Sequence, residues 1–175
     1  MTTPYIDPQT VHNPATGTSP PASWGDTVRD NQQFFSTPPS VKTRRTAVQS
    51  IPNNTFTAVA FTAADTWDTD GFHSTTTNNS RITVPAGLGG IYHVIGSVNF
   101  AAGADNTRLV KIQLNGSSDV TVYQGTNGVG GPAFAVSVPN MVQLAAGDYI
   151  ELVCYQFSGS ALSITATMSA HWVSL

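Results

Sequence analysis

The last fifteen residues, "ALSITATMSAHWVSL" (161–175), alternate without a break. Leu162, Ile164, Ala166, Met168, Ala170 and Trp172 fall on one side; Ser163, Thr165, Thr167, Ser169, His171 and Val173 fall on the other. A period of two sustained this long suits an extended strand, because a helix would scatter the same apolar set around its circumference. The apolar side needs a second layer to cover it. The pattern recurs upstream. "GIYHVIGSVNF" turns Tyr92, Val94, Val98 and Phe100 one way. "RLVKIQLNG" offers Val110, Ile112 and Leu114 with Lys111 and Gln113 opposite, and "DYIELVCYQF" offers Ile150, Leu152 and Cys154. Strands are expected near 45–51, 55–62, 80–84, 90–101, 107–115, 119–124, 133–144, 148–157 and 161–173. Asn115-Gly116 is a strong hairpin signal. So many short strands imply an all-β sandwich or barrel, with the inward sets as its core.

One segment breaks the rhythm. "SWGDTVRDNQQFF" (23–35) has helical periodicity and is fenced by Pro20-Pro21 and Pro38-Pro39. Ser23 is expected as its N-cap, with Asp26 completing a box-like pair. Trp24, Val28 and Phe35 form a stripe with Phe34 at its edge; Arg29, Asp30 and Gln33 lie opposite. The stripe has two candidate seats, the chain's own β domain or another subunit. Residues 1–22 carry five prolines and read as an extended arm resting on a neighbouring chain. Residues 36–44 read as a linker. The expected division is therefore 1–44, an arm, short helix and linker, and 45–175, the β domain.

Only 10% of residues are charged, against about 25% in an average domain, which suits a Thr/Ser/Asn surface or one covered by partners. The net charge of −3 argues against nucleic acid as a partner. No apolar run approaches the ~20 residues of a membrane span, and the N-terminus lacks a signal-peptide pattern, so synthesis in the cytoplasm is expected. The lone cysteine, Cys154, is expected to be a buried core thiol.

Catalytic constellations are missing from the pattern. Histidines 12, 73, 93 and 171 have no metal-like partner at useful spacing. "DTWDTDGFH" fails the register of a calcium loop, so Asp65, Asp68 and Asp70 are expected to be solvated turn carboxylates. The glycine-rich runs at 87–90 and 125–131 lack a phosphate-loop sequel. Glu151 is the only glutamate and sits with Asp148 at one strand start, unlike a paired-carboxylate hydrolase. No enzyme, cofactor or metal is expected. One oddity remains: the outward side of "GIYHVIGS" carries Ile91, His93 and Ile95, an apolar solvent face that calls for a cover.

The pieces "FHS…SRITVP", "GGIYHV", "RLVKIQLNG", "LAAGDYIEL" and "MSAHWVSL" occur in an order that resembles the C1q/TNF-like jelly roll, over residues 45–175. The version resembled is that of bacteriophage and bacterial structural proteins. Val28-Arg29-Asp30-Asn31 is similar to an arm-helix signature of small phage virion proteins. The resemblance implies a jelly-roll β-sandwich assembling as a homotrimer. Ile91, His93 and Ile95, with His171 and Val173, would then face the three-fold axis, where histidine protonation would make trimer stability depend on pH. It also implies a virion location. The expected function is a capsid decoration (cement) protein, bound to the major capsid protein at three-fold or quasi-three-fold sites. Trp24, Val28, Arg29, Phe34 and Phe35 would serve as its virion anchor. The rival is a trimeric tail or baseplate tip that binds a host receptor through loops 103–107 and 125–132.

Overall fold

The computed structural model describes residues 22–103, 107–126 and 134–175. The expected arm, apart from Ala22, and most of the loops at 103–107 and 125–132 lie outside these residues.

Helix α1 (Ala22–Ser36) is followed by ten strands: β1 (Ser40–Ile51), β2 (Thr57–Ala58), β3 (Trp67–Asp68), β4 (Arg81–Thr83), β5 (Gly90–Phe100), β6 (Thr107–Leu114), β7 (Ser118–Thr126), β8 (Phe134–Leu144), β9 (Tyr149–Gln156) and β10 (Leu162–Ser174). They form two antiparallel sheets. One has the order β3-β1-β10-β5-β8; the other runs β2-β9-β6-β7, with β4 also pairing with β9. This is a C1q/TNF-like jelly-roll sandwich.

The core lies between the sheets and uses the sets read from alternation. Tyr92, Val94, Val98, Phe100, Val110, Ile112, Ile150, Leu152, Cys154 and Met168 are all fully buried. Burial pushes the Cys154 thiol well above its ordinary value, so it stays protonated and packs as a small apolar group. Tyr92 is likewise raised, by burial first and by Asp70 second, and its hydroxyl donates to the Leu88 carbonyl. Gly96 shares the inward side of β5. A Cβ there would clash with Leu152 Cδ1, so the missing side chain is what admits Leu152 from the facing sheet. Asn115 and Gly116, both at positive φ, turn β6 into β7 as their dipeptide signal requires. Pro139 lies in β8, whose place at the end of its sheet leaves one side free for a residue without a donor.

Three expectations need correction. The strand expected from residue 45 starts at Ser40, so 40–44 are not linker. Val41 and Thr43 are buried, Val41 pairs with Ala170, and β3, which the pattern missed, pairs on the other edge. Polar Lys42, Thr43 and Arg44 hid this strand, which is specified by its neighbours. Second, α1 begins at Ala22, so Ser23 is already helical and its carbonyl accepts from the Thr27 hydroxyl (3.0 Å). Asp26 pairs with Arg29 at 2.9 Å. Third, the buried line of α1 is Thr27, Asn31 and Phe34, with Trp24 and Val28 half-buried beside it. The helix stops where Ser36 and Thr37 hydroxyls donate to the Gln33 carbonyl, just before Pro38-Pro39.

Candidate functional site

β10 and β5 are interior strands of the β3-β1-β10-β5-β8 sheet, and their outward residues make its exposed face. Register places His171 opposite His93, Ser169 opposite Ile95 and Thr167 opposite Ser97. On the other edge of β5, Met141 lies opposite His93, Pro139 opposite Ile95 and Gln143 opposite Ile91. Ile91, His93, Ile95, His171 and Val173, separated by up to 82 positions, therefore share one face. Its character changes along the strands. One end carries Ile91, Ile95, Met141 and Val173, with Ile95 37%, Val173 44% and Met141 56% exposed. The other end carries Ser97, Asn99, Ser137, Thr165 and Thr167. Sequence reading missed Met141 and Pro139, since faces in β8 were not assigned there. Strict alternation through "VSVPNMVQL" would have found them.

Helix α1 borders the apolar end. Phe34, 2% exposed, meets Trp172 edge-on with ring centroids 4.6 Å apart. It is thus spent inside the chain, so Phe34 of the expected anchor set Trp24, Val28, Arg29, Phe34 and Phe35 is not a surface residue. Phe35 is 58% exposed, Arg29 is on the solvent side paired with Asp26 and Asp30, and Trp24 and Val28 lie between. A shallow cavity of about 280 Å³ lined by Phe35, Pro38, His171, Trp172 and Val173 runs from helix to face.

The turn carboxylates have specific structural partners. Asp68 accepts from the backbone amides of Asp70, Gly71, Phe72 and His73, which fills its oxygens with the turn it builds. Asp65 holds His73 Nδ1 at 3.0 Å, and His73 Nε2 lies 3.2 Å from the Asn79 carbonyl. The expectation of solvated carboxylates is corrected for both. Asp148 accepts from Asn115 Nδ2 and the Ala145 amide, each at 2.8 Å, and these donors hold it below the ordinary carboxylate range. Asp119 is lowered by Lys111 and Gln113. Glu151 accepts from the Ser80 hydroxyl at 2.6 Å and lies near Arg81, whose guanidinium stacks 4.0 Å over Tyr149. Among the described residues, no three His, Cys, Asp or Glu side chains are grouped to hold a metal ion, and no helix is long and apolar enough to cross a membrane.

The outward side of the second sheet carries an aromatic group. Phe56 and Tyr155 lie 4.9 Å apart, Lys111 Nζ sits 4.4 Å over Phe56, and Phe157 and Val122 are exposed nearby.

No family model matches this chain, and no curated protein does. Solved structures do. The globular domain of zebrafish complement 1qA matches with TM-score 0.59 at 12% identity, covering 77% of this chain and 97% of that one. Eiger TNF from S. frugiperda matches with TM-score 0.59 at 9% identity, covering 77% and 92%. PRD1 vertex protein P5 matches with TM-score 0.52 at 12% identity, covering 77% and 72%. At these identities the likeness is one of fold: the chain is built as a C1q/TNF-like jelly roll.

Proposed function

We propose that this chain is a homotrimeric structural protein of a bacteriophage particle, decorating the capsid at three-fold or quasi-three-fold sites. The observation that carries the reading is the outward face of the sheet that holds β10 and β5. It is apolar at one end and hydroxyl-rich at the other, and no described residue covers it. Four long strands at about 4.8 Å spacing and eleven residues at about 3.3 Å give a face of roughly 700 Å². A stable interface uses about 800 Å² per partner, so this face is of the right size. A large exposed apolar patch is unfavourable in a monomer, and three such faces turned about a three-fold axis would bury Ile91, Ile95 and Val173 with His93 and His171. PRD1 vertex protein P5 shares the fold, which supports a virion role. The half-buried Trp24 and Val28 and the exposed Phe35 then offer the shell a contact edge.

Sedimentation velocity tests the trimer: the wild type should run at three times the chain mass, and Ile95→Asp should run as a monomer. Cryo-electron microscopy of particles with and without the protein tests the location, with density expected at three-fold sites of the shell. A monomeric wild type, or density at the tail alone, refutes the corresponding half. Exposed Phe56 and Phe157 beside half-buried Tyr155 favour a second reading, a tail or baseplate tip whose outer sheet binds a host receptor. Density confined to the tail is its signature.

A further inference from the structure

His171, His93 and Met141 lie in one row across the adjacent strands β10, β5 and β8. His93 is opposite His171 on one side and opposite Met141 on the other. All three belong to the outward face, and none has a side-chain hydrogen bond or ion pair among the described residues. By contrast His73 is fully engaged, and Met168 and Cys154 are sealed in the core. We propose that this row is a binding site for a soft transition-metal ion, copper(I) in particular.

The argument is one of donor chemistry and reach. Directly opposed residues on antiparallel neighbours have Cα atoms about 4.5–5.5 Å apart. A central imidazole with a second imidazole and a thioether one strand away on either side can therefore lean toward one ion above His93. Two imidazole nitrogens and a soft thioether sulfur form a set suited to copper. Calcium and magnesium demand oxygen ligands, which the row does not provide. Zinc favours thiolate, imidazole or carboxylate, and a thioether adds little to it. Copper(I) accepts imidazole and thioether at low coordination number, and Ile91, Ile95 and Val173 flank the row with apolar groups in place of competing oxygen ligands. Neither spacing nor motif in the sequence points to this set, because its members are 30, 48 and 78 positions apart and meet only through strand pairing.

The site uses one chain's own side chains and does not rest on the trimer reading. The test is competition for copper(I) held by bicinchoninate, under ascorbate and without oxygen, using the full chain. The wild type should withdraw one copper(I) per chain. His93→Gln, which removes the central ligand, should abolish uptake, and His171→Gln and Met141→Leu should each weaken it at least tenfold. Met141→Leu changes an exposed side chain of similar size, so it keeps the fold, and circular dichroism of each sample checks this. His93→Gln retains Cys154 and Met168 and so controls for uptake elsewhere. A wild type that takes up no copper, or His93→Gln and Met141→Leu proteins that take up as much as the wild type, overturns the proposal. Sedimentation of the same samples reports the trimer separately: a trimer without copper uptake sinks this site and leaves the proposed assembly standing, and a copper-binding monomer does the reverse.

Discussion

Replacing Phe34 by alanine asks whether α1 is a detachable anchor or part of the β-sandwich. The ring is 2% exposed and packs edge-on against Trp172, itself 4% exposed, at 4.6 Å. Truncating a buried phenylalanine costs about 3–5 kcal/mol, the sum of lost transfer free energy and the cavity left behind. An edge-to-face aromatic pair accounts for about 0.5–1.5 kcal/mol of it. At the thermal midpoint, 1 kcal/mol corresponds to about 2–4 °C in a domain of this size, so Phe34→Ala should lower Tm by about 10 °C. The neighbouring ring supplies the control. Phe35 is 58% exposed, and its removal should cost under about 0.5 kcal/mol, below about 2 °C. The assay is differential scanning calorimetry of both variants, with hydrogen exchange of the α1 amides. If the helix were a loosely held appendage, its undocking would cap the loss, and the two variants would melt together. A Phe34→Ala midpoint within about 2 °C of Phe35→Ala, with α1 amides already unprotected in the wild type, refutes the packing argument.

Other positions give equally definite expectations. Gly96→Ala should destabilise by about 1–3 kcal/mol through overpacking against Leu152, and pairing it with Leu152→Val should restore part of the loss; additive losses in a double-mutant cycle would count against this contact. Asp148 has its folded pKa depressed by Asn115 and Ala145, so its contribution is fully present above the unfolded carboxylate value and is lost as pH falls through the folded one. The midpoint of the wild type should therefore fall more steeply than that of Asp148→Asn as pH is taken from about 5 to below 3, and parallel curves would refute the linkage. His73→Gln removes a fully buried ring that hydrogen-bonds Asp65 and the Asn79 carbonyl, and should cost about 1–3 kcal/mol in chemical denaturation by leaving these acceptors without their partner; a change under about 0.5 kcal/mol would show the contact to be dispensable.

Alternation alone determined much of this protein. Inward sets such as Tyr92, Val94, Val98 and Phe100 were legible because side chains of a strand point alternately to opposite faces, so burial writes a period of two into the residues. The hairpin at Asn115-Gly116 and the helix stop at Pro38-Pro39 were legible because they rest on local backbone preferences. The outward position of Ile91, His93 and Ile95 followed from the same parity. What tertiary structure alone decided is everything that depends on which strand lies beside which. Ser40–Arg44 become strand because β10 and β3 flank them, despite a polar composition. Phe34 rather than Phe35 docks, because Trp172 of the last strand lies beneath that side of the helix. His171, His93 and Met141 form a row because β10, β5 and β8 are neighbours in the sheet and 30 to 78 positions apart in the chain. Strand pairing is a long-range choice made by the closure of the whole sandwich, and no local pattern of residues contains it.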